Sequence, residues 1–403
     1  MTTTQLSDLL TLPCGAVLPN RVAKAAMSEH LASKRQEPTR ALNELYRRWA
    51  EGGTGLVITG NVMVDRQHLE AKTNVVLADA PDLARFTEWA AAGTSGGNHL
   101  FMQLNHPGRQ TPRHVNPTPM APSAVAPVNL FRRASAFGHP RAMTEREIED
   151  TVAAFARAAA VAQRAGFTGV QVHGAHGYLV SQFLSPLTNQ RTDGWGGSLE
   201  NRARFGRAVL GEIRRAVGSA FPVAIKLNSA DFQRGGFTED ESIRVLHMLQ
   251  ADGVDLVEIS GGSYESRVML DKPQSQREAF FLEYARKARA AVDIPLMVTG
   301  GFRSRAIMEE ALASRALDVV GLARPFTHNP NLGRDLTTGR ISRAEDPPPM
   351  PGLSRLGGTS EAMMSVAQMA LLSKGKDPVR GVGLRAVFSA LLQEGTSLLR
   401  GKG

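Results

Sequence analysis

Two imidazoles and a phenol crowd one short stretch of the chain, Gly169-Val-Gln-Val-His173-Gly-Ala-His176-Gly-Tyr178. Two histidines three apart can ligate a metal. No third His, Asp or Glu is grouped with them and there is no H-E-x-x-H, so the pair also reads as two N–H donors aimed at one oxygen. Such donors stabilise charge developing on a carbonyl. Tyr178, with an ordinary phenol pKa of about 10, keeps its proton at pH 7 and can give it up in a reaction. A lone histidine is more often a satisfied core or turn residue; this cluster at the end of an apolar run points to chemistry.

Lys226 lies in Val-Ala-Ile-Lys-Leu-Asn. An inward-facing lysine is costly to bury without an anion. It reads as the Schiff-base nucleophile of a lyase, as a fixed cation beside a group that turns negative, or as a rim lysine reaching for water. Farther on, Gly300-Gly301 ends one apolar run and Ala323-Arg324 ends the next. Glycines let backbone N–H groups approach an anion where no Cβ intrudes, and an arginine adds charge, so these two ends read as a phosphate seat.

These residues all sit at the ends of short apolar or β-branched runs, each followed by a loop and an amphipathic stretch. Eight strands are expected, at 21–26, 55–60, 100–105, 169–173, 222–228, 255–260, 295–300 and 318–323. Helices are expected between them at 39–51, 81–92, 144–165, 199–217, 239–251, 278–292 and 303–314. Thr144 and Thr238 precede acidic residues that suit a helix N-terminus. Strands alternating with helices make parallel sheets, because parallel neighbours need a crossover. Eight such units suggest a closed α/β (β/α)8 TIM barrel. The open doubly wound alternative usually carries a glycine fingerprint after its first strand, and Ala25-Ala26-Met27-Ser28 has none. In such a barrel the strand C-termini carry the chemistry, and the loops after strands seven and eight carry phosphate.

The expected organisation is a barrel over 1–336, with a long Pro- and Arg-rich capping insertion at 107–141 after the third strand. A C-terminal extension over 337–403 opens on a Pro-rich spacer and continues with helical spacing at 360–372 and 383–399. Across 403 residues there is one cysteine, Cys14, which excludes an intrachain disulfide and an all-cysteine metal centre. No apolar stretch is long enough to span a membrane. The first residues lack a basic start and apolar run, so no secretory signal is expected and the cytoplasm is the expected location. The net charge of +9 is spread along the chain without basic runs, and aromatics are 6%, which speaks against a nucleic-acid platform.

Asn20-Arg21, Gln103-Leu-Asn-His106-Pro-Gly-Arg109 and Ala121-Pro122-Ser123 add to the histidine segment, as does Phe183-Leu-Ser-Pro-Leu-Thr-Asn189-Gln-Arg191-Thr-Asp193, which runs on to Trp195 and Glu200-Asn201-Arg202. Together these motifs resemble the Old Yellow Enzyme family of FMN-dependent oxidoreductases. The resemblance implies FMN at the strand ends, reduced by NAD(P)H, and hydride transfer to the β-carbon of an activated alkene such as an enone, enal or nitroalkene. It places His173 and His176 on the substrate oxygen and Tyr178 as donor to the α-carbon. Met27, Ser28, Gly60, Gln103, His173 and Lys226 would contact the flavin ring, and Gly300, Gly301, Ala323 and Arg324 its phosphate. His30 would face the substrate. Ser28 stands where many members have Cys or Thr, which bears on the flavin potential.

The expected partners are therefore a small unsaturated substrate and NAD(P)H, with no metal, nucleic acid or membrane; a homo-oligomer is left open. A phosphate-binding barrel lyase built on Lys226, and a basic RNA-associated flavin barrel, stand as alternatives.

Overall fold

The computed structural model describes residues 4–78, 82–127, 136–262, 280–348 and 358–378. Its centre is a closed barrel of eight parallel strands: β1 Val22–Lys24, β2 Leu56–Ile58, β3 His99–Asn105, β4 Gly169–Gly174, β5 Val223–Asn228, β6 Leu256–Ser260, β7 Leu296–Thr299 and β8 Val319–Leu322. Each strand pairs with its neighbours in sequence, and β8 pairs with β1, so no edge is left open. All eight expected strands are present. Most are trimmed by a residue or two at their ends, where the chain leaves the ladder for its loop.

The period-two alternation of a strand explains both cores. One set of side chains faces outward toward the helices, among them Val22, Val57, Val170 and Val172. The other set faces the lumen. Ala23, Leu56, Ile58, Phe101, Ala224, Leu256, Met297 and Val319 form a separate apolar cluster there. A short antiparallel hairpin, Leu10–Thr11 with Val17–Leu18, adds Leu10, Leu12 and Leu18 to this floor and plugs the N-terminal end. Nothing in the sequence reading anticipated the hairpin, since two-residue strands carry too little pattern.

The helices run close to the expected spans: α1 Arg40–Glu51, α2 Leu83–Gly93, α3 Glu145–Arg164, α5 Leu199–Val217, α6 Glu239–Ala251, α7 Leu282–Ala291 and α8 Arg305–Ala313. Thr144 and Thr238 close full capping boxes with Glu147 and Glu241, which satisfy N–H groups a helix start leaves unpaired. Three short helices were not expected: α4 Leu179–Leu184, α9 Pro325–His328 and α10 Leu332–Thr337. In the insertion, Met120–Ala121 pairs with Arg141–Ala142.

The expected helix at 360–372 is α11, Gly358–Leu372, which packs on α9 and α1; the one expected at 383–399 lies outside the described residues. No helix among the described residues is long and apolar enough to cross a membrane.

One outward residue of β1 is polar. Lys24 is fully buried, donates to the Ile58 carbonyl at 2.7 Å, and stands 4.4 Å from the Trp49 ring centroid. Burial pushes its pKa down to about 8. It ties β1 to β2 and to α1.

The floor tolerates little extra volume. Gly169 pairs with Phe101, and a Cβ on Gly169 would fall 2.4 Å from the Phe101 ring. Gly169→Ala is therefore expected to cost about 1–3 kcal/mol in urea unfolding, with Phe101→Leu recovering part of the loss. Equal midpoints for wild type and Gly169→Ala would contradict this packing.

Candidate active site at the C-terminal rim

Two residues above the apolar floor, the inward positions become polar. Gln103 pairs in register with Gln171, and its Nε2 donates to Gln171 Oε1 at 2.7 Å. Gln171 Nε2 donates to Glu258 Oε2 at 2.8 Å, and Lys226 Nζ lies 2.9 Å from Glu258 Oε1. All four side chains are buried. The costly lysine thus has its anion, supplied by the register neighbour on β6. Gln171 and Glu258 were not singled out from sequence, although the signal was present: each stands two positions before a rim residue, His173 or Ser260, on the same strand face.

The next layer holds the histidines. A Cβ on Gly174 would lie 2.8 Å from the Lys226 carbonyl, so the strand can pass only as glycine. His176 and Gly177 then adopt left-handed backbone, with φ of +60° and +76°, and turn the chain back over the rim. That strained turn is held from both sides. The His176 N–H donates to Asn228 Oδ1 at 3.1 Å, and its carbonyl accepts from Gln110 Nε2 at 2.9 Å.

The two imidazoles stand edge to face with centroids 5.0 Å apart, and Tyr178 lies 4.7 Å from His173 in the same manner. His173 Nδ1 accepts the Ala175 N–H at 3.3 Å, which places the ring proton on Nε2. His176 Nε2 is 2.7 Å from Ser260 Oγ, a partner the sequence did not reveal. Burial, with Lys226 nearby, pushes both pKa values well below the ordinary imidazole range, so the rings are uncharged at neutral pH.

The loops after β1 and β2 make the facing wall. Ser28 Oγ, Asn61 Nδ2 and the Tyr178 hydroxyl all donate to the Glu70 carboxylate, at 3.0, 2.8 and 3.0 Å. His30 takes a left-handed φ of +57° and sets Nδ1 3.1 Å from Thr73 Oγ1. The Gly60 N–H reaches Glu29 Oε1 at 2.8 Å and the Tyr46 hydroxyl oxygen at 3.0 Å, and Tyr46 itself donates to Glu29. A Cβ on Gly60 would come within 2.3 Å of the Met27 carbonyl. Met27 is half-buried against the outer core. Asn61, Glu70 and Glu29 had no sequence signal, because loop residues carry no period, and Tyr46 read only as a buried position of α1; the fold alone brings them to the rim.

At the opposite end, Gly300 and Gly301 have φ of +142° and +82°. The Thr299 hydroxyl beside them is buried and has no hydrogen-bond partner among the described residues. Gly321 leaves space that a Cβ would fill at 2.0 Å from that hydroxyl. Ala323 lies against the barrel floor cluster. Arg324 is bonded to Glu361 of α11, with its Nε 3.6 Å from Asp346. The arginine expected to grip phosphate therefore already has two carboxylates around it, both from the C-terminal segment.

The donor set fits a flavin mononucleotide. A buried amide and an ammonium suit a polar ring edge, glycines open room where Cβ atoms would collide, and an orphaned hydroxyl with an arginine stands at the phosphate end.

Among the described residues, one other cluster has metal-like spacing: Asp65, His68 and His106. His68 Nε2 accepts the Met120 N–H and His106 Nδ1 accepts the Gly108 N–H. In each ring the nitrogen facing Asp65 must then carry the proton. The lone pairs a metal needs are spent on backbone, and the cluster is a carboxylate that takes the His68 Nδ1 proton at 2.5 Å and faces His106 Nε2 at 3.7 Å.

A profile of the NADH:flavin oxidoreductase / NADH oxidase family matches residues 14–342. An NADH-dependent flavin oxidoreductase of Aspergillus parasiticus is 40% identical over 343 residues, covering 81% of this chain and 77% of its own. Among solved structures, a 2-naphthoyl-CoA reductase superposes with a TM-score of 0.79 at 28% identity; the match covers 84% of this chain and 53% of that longer one. Morphinone reductase superposes with a TM-score of 0.73 at 25% identity, covering 86% and 92%.

Two outcomes are expected. Removing one partner of the buried ion pair, as in Glu258→Ala, strands an ammonium and is expected to cost about 3–5 kcal/mol in urea unfolding. The Lys226→Met/Glu258→Met double variant is expected to recover most of that.

The second concerns pH. His106 is pushed down to about 4 by burial, and His173 and His176 also stay neutral in the fold. The unfolded chain takes up protons on these rings below about pH 6.5, so stability is expected to fall as pH drops from 6.5 toward 4. His106 alone accounts for about 3 kcal/mol of that fall, by the difference between its two pKa values. Urea midpoints of wild type and His106→Asn across this range check it; parallel slopes would refute the assignment.

Proposed function

Because the chain belongs to the NADH:flavin oxidoreductase / NADH oxidase family, the Old Yellow Enzyme family, and so is an FMN-dependent NAD(P)H oxidoreductase, we propose that it reduces the carbon–carbon double bond of an activated alkene. When bound, FMN supplies the hydride chemistry, taking it from NAD(P)H and delivering it to an electrophilic carbon. Gln103 and Lys226 would hold the flavin's polar edge, with Met27, Ser28 and Gly60 beside the ring. Gly300, Gly301, Ala323 and Arg324 would hold its phosphate.

The observation that carries the proposal is the pair of uncharged imidazoles set edge to face beside Tyr178 at the end of β4. Two neutral rings can each give an N–H to one carbonyl or nitro oxygen without placing a full charge on it. Polarising that oxygen draws electrons from the β-carbon and readies it for hydride. Tyr178, nearly fully buried beside them, would give a proton to the α-carbon. His30 would line the same pocket. The reductase names of both structural neighbours support this direction. Lys226 is tethered to Glu258, which leaves the Schiff-base alternative without a free nucleophile.

The purified holoenzyme is expected to be yellow, to bleach anaerobically with NADH or NADPH, and to regain colour with 2-cyclohexenone. A flavin that reduces but stays bleached with enones, enals and nitroalkenes would refute alkene reduction. In His173→Ala/His176→Ala, reoxidation by the enone is expected to slow by about 100-fold or more, with a much smaller change in FMN affinity measured by flavin fluorescence. Equal losses in both would count against their role on the substrate.

A further inference from the structure

Tyr178 is 2% exposed, so a proton it gives away cannot be replaced directly from bulk water. Its hydroxyl donates to Glu70 Oε1 at 3.0 Å. Glu70 is only half-buried, so it spans the distance from the phenol to the solvent side of the rim. Its other oxygen accepts from Ser28 Oγ and Asn61 Nδ2, which fixes the carboxylate plane against the phenol. Asn61 Nδ2 also lies 3.5 Å from the Tyr178 hydroxyl, so amide, phenol and carboxylate form one connected group. The titratable neighbour on the other side of Tyr178 is the His173 ring, which stays neutral and offers no replacement proton.

We propose that Glu70 is the proton carrier behind Tyr178: a positioning residue that aims the hydroxyl between turnovers and returns a proton to it after each transfer. The proposal rests on the alkene-reduction reading above. Hydride adds to the β-carbon, and the π electrons move to the α-carbon and its polarised oxygen. The Tyr178 O–H bond breaks and its proton forms the new α-carbon C–H bond. Water at the rim then protonates the Glu70 carboxylate, and Glu70 passes that proton on to the phenolate, which returns Tyr178 to its neutral form and Glu70 to its anion. The net proton comes from solvent, and the two electrons come from NAD(P)H. Ser28 and Asn61 hold the carrier in place, which gives Ser28 a task apart from any contact with the flavin.

The test uses the holoenzyme with Glu70→Gln, Glu70→Asp, Tyr178→Phe and the Glu70→Gln/Tyr178→Phe double variant. Flavin reduction by NADH or NADPH and reoxidation by 2-cyclohexenone are timed separately across pH 5.5–9. Glu70→Gln is expected to slow reoxidation by about 10–100-fold, flavin reduction far less, and to change the pH profile of reoxidation. Glu70→Asp is expected to restore part of the rate, and Glu70→Gln to add little once Tyr178 is Phe. Equal slowing of both half-reactions, an unchanged pH profile, or full additivity with Tyr178→Phe would overturn the proposal.

A second readout needs no alkene. The ultraviolet titration of Tyr178, taken as the difference from Tyr178→Phe, is expected to move to lower pH in Glu70→Gln, because the neighbouring negative charge is gone. An unmoved titration also overturns the proposal. A wild type whose bleached flavin no alkene reoxidises, but whose Tyr178 titration moves, instead refutes the alkene-reduction reading and keeps the Glu70–Tyr178 pairing.

Discussion

A buried charge pair sets the floor of the chemistry. Lys226 and Glu258 face each other across the β5–β6 register at 2.9 Å, one step above the apolar plug. Neither could sit there alone, because an unpaired ion in the lumen costs several kcal/mol. Gln171 occupies the remaining carboxylate oxygen and hands the network on to Gln103. The lumen therefore changes from hydrocarbon to hydrogen-bonding groups over a single strand step. Everything built above, from His173 to Ser260, inherits its height and orientation from that change.

Charge is rationed above this layer. Both imidazoles are neutral because burial and Lys226 oppose a second cation. The negative group on the opposite wall, Glu70, is kept to the loops after β1 and β2, where hydroxyl and amide donors surround it. Arginines away from this wall have a fastening role. Arg109, Arg191, Arg202 and Arg214 donate to backbone carbonyls and pin the long loops to the barrel.

Much of the scaffold could be read from the residues alone because strand and helix each impose a period. The eight apolar runs and the capped amphipathic stretches between them survive in the structure with small changes at their ends. His173, Lys226, Gly300 and Gly301 were recognisable because chemistry-bearing or glycine residues at strand ends stand out. Other parts were illegible for physical reasons. Glu70, Asn61 and Glu29 lie in loops, where neighbours in space are unrelated to spacing in sequence. The run from Ser185 to Asp193, among the most distinctive motifs, is structural. Asn189 donates to the Phe183 and Trp195 carbonyls, and Arg191 to those of Pro122 and Met143. A motif can be specific to a family because it holds the loops that hold the site.

The C-terminal segment was legible as helical spacing but not as part of the barrel's rim. Asp346 is bonded to Arg303, just after Gly300-Gly301, and stands beside Arg324, which Glu361 meets from α11. The acids that balance these guanidinium groups lie downstream of the last barrel strand. During synthesis the eighth strand leaves the ribosome first, so a nascent chain can close its sheet while its anion seat still lacks both counterweights. The cradle takes its finished electrostatic form only when the segment carrying Asp346 and Glu361 docks on the barrel, a step that follows closure of the sheet.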